Sequence, residues 1–144
     1  SGLLIFFMAA FFILNIVLKK ERNDFRENEI MEVKIGENIF QTEIAATLAK
    51  RSQGLSNRKE LCEKCAMLFL FEEKGFHFFW MKEMNFDLDM IWINKEEIVH
   101  IAKNVSREKG LEIIKPDREA DKVLEINAGI SDKLGIKIGD KVEF

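Results

Sequence analysis

The hydrophobic pattern divides the chain into one long apolar run, a polar stretch, and then a series of short apolar segments separated by polar or glycine-containing turns. The richest of these lies in 66–94, AMLFLFEEKGFHFFWMKEMNFDLDMIWIN. Met67 to Phe71, Phe76 to Met81 and Leu88 to Ile93 have the length and the aromatic and β-branched content that strands favour. They are nearly continuous rather than alternating, which predicts three strands covered on both faces and central to a sheet. Glu72 to Gly75 is expected to turn between the first two. Phe78, Phe79, Trp80 and Trp92 then read mainly as core, with Trp80 drawn toward a rim because an indole N–H needs a partner.

Flanking segments extend the pattern. Glu32 to Ile35 and Asn38 to Ile44 predict a hairpin turning at Gly36–Glu37. Thr47 is a good N-cap for a short helix, Leu48 to Gln53, stopped by Gly54. Lys95–Glu96 predicts a turn and Ile98 to Val105 a fourth strand. Ile113 and Ile114 end at Pro116, which cannot donate to a ladder. Val123 to Ile126 is a further strand, Ser131 caps a helical turn through Leu134 closed by Gly135, and Lys141 to Phe144 is the last strand. The expected fold is mostly β (β-rich α+β): a compact antiparallel sandwich or barrel-like domain with one or two short helices, behind an N-terminal transmembrane helix.

That transmembrane expectation rests on Leu3 to Leu18, LLIFFMAAFFILNIVL, which carries no charge. Its 16 residues would make about 24 Å of helix at 1.5 Å per residue, a few short of the ~20 needed to span. No A-x-A site or lipobox cysteine follows, so an uncleaved anchor is preferred to a signal peptide. Lys19, Lys20 and Arg22 would favour a cytoplasmic side for the flank. The organisation expected is therefore residues 1–18 as transmembrane or signal-anchor helix, 19–30 as polar tether, and 31–144 as a single β-rich domain.

Composition narrows the function. The net charge is −3, from 22 basic and 25 acidic residues, which is not the balance of a nucleic-acid binder. With no tyrosine, none can serve as acid, base or nucleophile. Cys62 and Cys65 have a C-x-x-C spacing, but a structural zinc site needs four ligands and only His77 and His100, both distant, remain. A local disulfide and a pair of free thiols stay open, and no metal or cofactor is implied. Neither a nucleophilic triad nor a glycine-rich phosphate loop is visible. Asp87 and Asp89, two apart, would share one strand face. The best constellation is Arg51, Arg58, Trp80, Lys82 and Asp89. Guanidinium forks bind carboxylates or phosphates, and an indole can stack on a sugar or a cation. In a regular strand Trp80 and Lys82 share a face, and Asp89 on the adjoining strand is a candidate partner for Lys82. A purely structural role, with an arginine pairing Asp89 to lock helix to sheet, is the competing reading.

Several ordered motifs carry a family resemblance: RSQGLSNRKEL (51–61), MLFLF (67–71), FWMK (79–82), LDMIWI (88–93), VLEINAG (123–129) and GIKIGD (135–140). From about Glu32 to Phe144 the chain resembles the conserved family known as domain of unknown function (DUF) family 192. Members of that family show R-x-x-G-L, G-M-L-F-x-F, F-W-M-K-N-T and P-L-D-I-I-F-I-D in the same order. Here Ala66 replaces the glycine before MLF, Glu83 and Met84 replace N-T, Asp87 replaces the proline, and the cysteine pair is an addition. The resemblance implies a mostly β domain, often behind a membrane segment and hence extracytoplasmic, and no established activity. Asp89 is the aspartate that matches the family motif.

Three functions compete. The preferred one is a membrane-anchored extracytoplasmic module, held through residues 3–18, that binds a small ligand, a glycan or an envelope protein through the polar cluster. The others are an envelope assembly partner and a hydrolase-like enzyme using Asp89 with Lys82 or an arginine.

Overall fold

Two apolar faces of one sheet organise the protein in a computed structural model that describes residues 29–144. The seven strands are β1 (Ile30–Ile35), β2 (Asn38–Ala45), β3 (Cys65–Gly75), β4 (Leu88–Asn94), β5 (Glu97–Val105), β6 (Ala120–Asn127) and β7 (Val142–Glu143). Their spatial order is β5-β4-β6-β3-β2-β1-β7. Every neighbouring pair is antiparallel except β2 and β3, which run parallel because the helix α1 (Leu48–Gln53) and a long loop carry the chain back between them. The fold is mostly β, as expected, and of the two expected forms it takes the barrel-like one, a single curled sheet, rather than a sandwich. Its two edges meet where Glu97 of β5 bridges Lys141 beside β7. The bonds Ile98 N–H to the Asp140 carbonyl (3.0 Å) and Val142 N–H to the Glu96 carbonyl (2.8 Å) hold that seam.

Alternation along the strands separates two cores. Val33, Phe40, Leu68, Ile91, Ile93, Leu124 and Ile126 fill the inside of the curl, together with Ile130 and Ile136 from around helix α2 (Ile130–Leu134). Met67, Phe69, Met90, Trp92 and Val123 lie on the outer face, under loops that contribute Leu55 and Met81. Each fully buried side chain of this size contributes about 1.5–3 kcal/mol, so both faces are needed to hold the domain.

The hairpin and α1 form as the sequence indicates. Thr47 Oγ1 accepts from Lys50 N–H at 3.2 Å, and Gly54 ends the helix at φ +49°. Three expectations are corrected. Phe76 to Met81 is not a central strand: it crosses the outer face as an extended segment, joined to Ile114 by the Phe79 bridge and to Gly110 by the Met81 N–H. Its outer side chains, Phe76, Phe78 and Trp80, are exposed, while Phe79 and Met81 pack inward. An unbroken aromatic run predicts two covered faces, and only one is covered. Correspondingly, β3 continues through Glu72–Gly75, which does not turn. Ser131 is also not the cap of α2. Gly129 occupies that position, and Ser131 sits one residue inside the helix.

The transmembrane segment, residues 1–18, and most of the tether lie outside the described residues. Among the described residues, no helix is long and apolar enough to cross a membrane.

Candidate functional site

A cleft of about 260 Å³ opens on the outer face of the sheet, between α1 with the loop that follows it and the 78–84 segment. Phe69, Phe71, Phe78, Phe79 and Trp80 form its aromatic walls. Leu48, Gly54 and Leu55 close it from the helix side. Gly54 is required there twice over: its φ is left-handed, and a Cβ would lie 3.2 Å from the Phe69 ring. The rings interlock edge to face, Phe69 with Phe79 at 4.9 Å and Phe79 with Trp92 at 5.8 Å between centroids. The Trp92 indole donates to the His77 carbonyl at 2.9 Å, and His77 stacks on Phe71 at 3.6 Å. The segment bearing Phe78 and Trp80 is thereby tied to the strands below it.

The floor holds a carboxyl. Glu125 of β6 lies between its register partners Met67 on β3 and Met90 on β4, and it lines the cleft while only 4% exposed. Its carboxyl forms no hydrogen bond or ion pair among the described residues. Burial alone pushes its pKa up to about 8, since an apolar surround disfavours the charged form. Glu125 is absent from the sequence-derived set, although a signal existed: it is the one charge inside the apolar strand run VLEIN.

The five sequence-derived residues separate. Arg51 and Trp80 line the cleft. The Arg51 guanidinium donates to the Ala46 carbonyl and, at 2.9 Å, to the Leu70 carbonyl, and lies 5.2 Å from the Phe71 ring centroid. It is therefore spent on holding α1 to the sheet. Lys82 is exposed at the rim with its ammonium 5.5 Å over the Trp80 ring. Arg58 instead forms a fork with Glu43, Nη2 to Oε2 at 2.8 Å. That hydrogen bond holds the Glu43 carboxyl below its usual range and raises the guanidinium.

Asp89 is fully buried on the opposite face of the sheet, in register with Ile126. It accepts from Asn104 N–H at 2.8 Å, Gly129 N–H at 3.2 Å, Ser131 N–H at 2.9 Å and the Ser131 hydroxyl. Asp89 thus anchors the start of α2 and is not the partner of Lys82. Asp87 likewise accepts a backbone bond, from Arg107 N–H at 2.8 Å. A disulfide joins Cys62, in the loop before β3, to Cys65, the first residue of that strand. Among the described residues no His, Cys, Asp or Glu cluster is placed to hold a metal ion.

Over residues 31–144 the chain matches the DUF192 family, described as "Uncharacterized ACR", and it belongs to that family. The same fold occurs in a protein of unknown function from Novosphingobium aromaticivorans DSM 12444, with TM-score 0.75, 33% identity, and coverage of 80% of this chain and 85% of that one. A second similar structure, from Sinorhizobium meliloti 1021 and provisionally named a transcription regulator, has TM-score 0.74, 29% identity, and coverage of 82% and 97%. No curated protein matches the chain.

Proposed function

We propose that this protein is a ligand-binding module, anchored in a membrane by residues 3–18 with its β domain on the extracytoplasmic side, and that the aromatic cleft is the binding site. The observation that carries the reading is the cleft itself: five aromatic residues and a buried polar group converge on one open concavity. Binding sites commonly have this composition, a mainly apolar lining with few polar groups. At about 260 Å³ it lies at or below the ~300 Å³ lower end for drug-sized ligands, which suits a small molecule or a single projecting side chain. Anchoring is supported by the uncharged run 3–18. The net charge of −3 disfavours nucleic acid as the partner. A hydrolase pairing Asp89 with Lys82 has no geometric support, because Asp89 is buried on the other face.

A second reading, an envelope assembly partner, is favoured by one observation: Phe76, Phe78 and Trp80 are each about half exposed, beside exposed Leu111 and Ile113. A fragment library titrated into the full chain, followed by backbone and indole NMR shifts, separates the two. Saturable shifts centred on Gly54 and the Trp80 indole are expected of the cleft. Shifts scattered elsewhere, or none, contradict it. Protease protection of sealed vesicles carrying the chain tests the sidedness.

A further inference from the structure

We propose that the cleft selects an organic ammonium ion, with the aromatic walls cradling the cation and the Glu125 carboxylate as its counter-charge. The proposal rests on the binding reading above and names its ligand class. Three geometric observations carry it. Glu125 is a charge-capable side chain, 4% exposed, which lines the cleft without a partner among the described residues. A carboxyl flanked in register by methionines on both neighbouring strands costs stability when left unpaired. The walls are phenylalanine and tryptophan rings, whose faces attract cations. Arg51 is the other charged residue among those lining the cleft, and its guanidinium is held by two backbone carbonyls and the Phe71 face. It does not neutralise Glu125.

The proton balance follows from the surround. Met67 of β3 and Met90 of β4 flank the carboxyl in register, Arg51 of α1 faces the same cleft, and the overlying segment contributes Phe79 and Met84. In this setting the empty site holds a neutral carboxylic acid at pH 7, its pKa pushed up to about 8. Entry of an ammonium ion expels the acid proton to solvent and leaves a carboxylate–ammonium pair, so the charge inside the cleft stays balanced. A neutral ligand of the same shape releases no proton.

Calorimetric titration of the full chain, kept in mild detergent, with phenethylamine hydrochloride and with its neutral counterpart 2-phenylethanol tests this. Phenethylammonium is expected to bind at least about tenfold more tightly at pH 7, the fold-change that a desolvated cation–carboxylate and cation–π contact supplies. Its affinity should strengthen as pH rises toward 8, by up to about tenfold per pH unit, with close to one proton released per ion bound at pH 7. Glu125→Gln, which keeps the shape of the neutral acid, should abolish the preference and the proton release, with its fold checked by a cooperative melt. Equal affinities for the two probes, or a preference that survives in Glu125→Gln, would overturn the ammonium assignment and leave the cleft reading standing. Binding of neither probe would overturn both.

Discussion

Asp89 and Ser131 stand 42 positions apart in the chain, and the backbone N–H and the hydroxyl of Ser131 both donate to one oxygen of the Asp89 carboxylate. The other oxygen accepts from Asn104 and Gly129. The family-motif aspartate is thus a structural anchor. Asp89→Asn would point an amide nitrogen at N–H donors, and each lost charge-assisted bond is worth about 1.5–3 kcal/mol. A loss of about 2–4 kcal/mol in urea unfolding is expected. A change below about 0.5 kcal/mol would contradict the anchoring role.

Lys82 contrasts with it. Its ammonium lies over Trp80 and is open to solvent, so Lys82→Ala leaves no buried carboxylate unpaired. Stability should change by no more than about 0.5 kcal/mol, as for surface substitutions generally. A melting curve showing a loss above 2 kcal/mol would restore a buried partner for Lys82.

Arg58 and Glu43 form the fork that ties the loop after α1 to β2, with each side chain about a quarter to a third exposed. Partial exposure screens the pair, so Arg58→Ala should cost only about 1 kcal/mol. Glu43 has a lowered pKa, chiefly through the Arg58 hydrogen bond. Its contribution is therefore complete above the unfolded carboxyl value and fades on acidification below about 4.5. Acid unfolding of the Arg58→Ala variant should be shallower than that of the wild type.

Glu125 works in the opposite direction. Its folded pKa is raised from 4.5 to about 8, so the folded protein holds a proton that the unfolded chain has lost. The stability contributed by this group is full below pH 4.5 and is lost as pH rises through about 8. The loss is on the order of 3–5 kcal/mol if the shift is fully expressed. Glu125→Gln should match the wild type within about 1 kcal/mol at pH 5 and exceed it by a few kcal/mol at pH 9. Parallel pH profiles for the two proteins would contradict a buried neutral acid.

Local rules were legible where one residue decides the outcome. Thr47 and Gly54 bound α1 because a side-chain cap and a left-handed φ are local requirements. Gly36 likewise turns the first hairpin at φ +60°. Tertiary choices were not legible. Phe76 to Met81 has the composition of a central strand, yet its edge is not built into the sheet, and periodicity cannot say which face a loop covers. Asp89 is buried on one face of β4, whereas Lys82 lies in the segment that crosses the other face, so the two never meet. Glu125 carried a signal in its apolar neighbours, but its meaning depends on the loops that roof β6, and these come from distant parts of the chain.

Whether a protonated acid sits on the cleft floor at neutral pH is measured most directly by following the Glu125 side-chain carboxyl carbon by ¹³C NMR across a pH titration. A midpoint near 8 is expected. A midpoint in the ordinary glutamate range, about 4–4.5, would mean that the carboxyl is solvated or paired, and would remove the basis for the cleft's proposed selectivity.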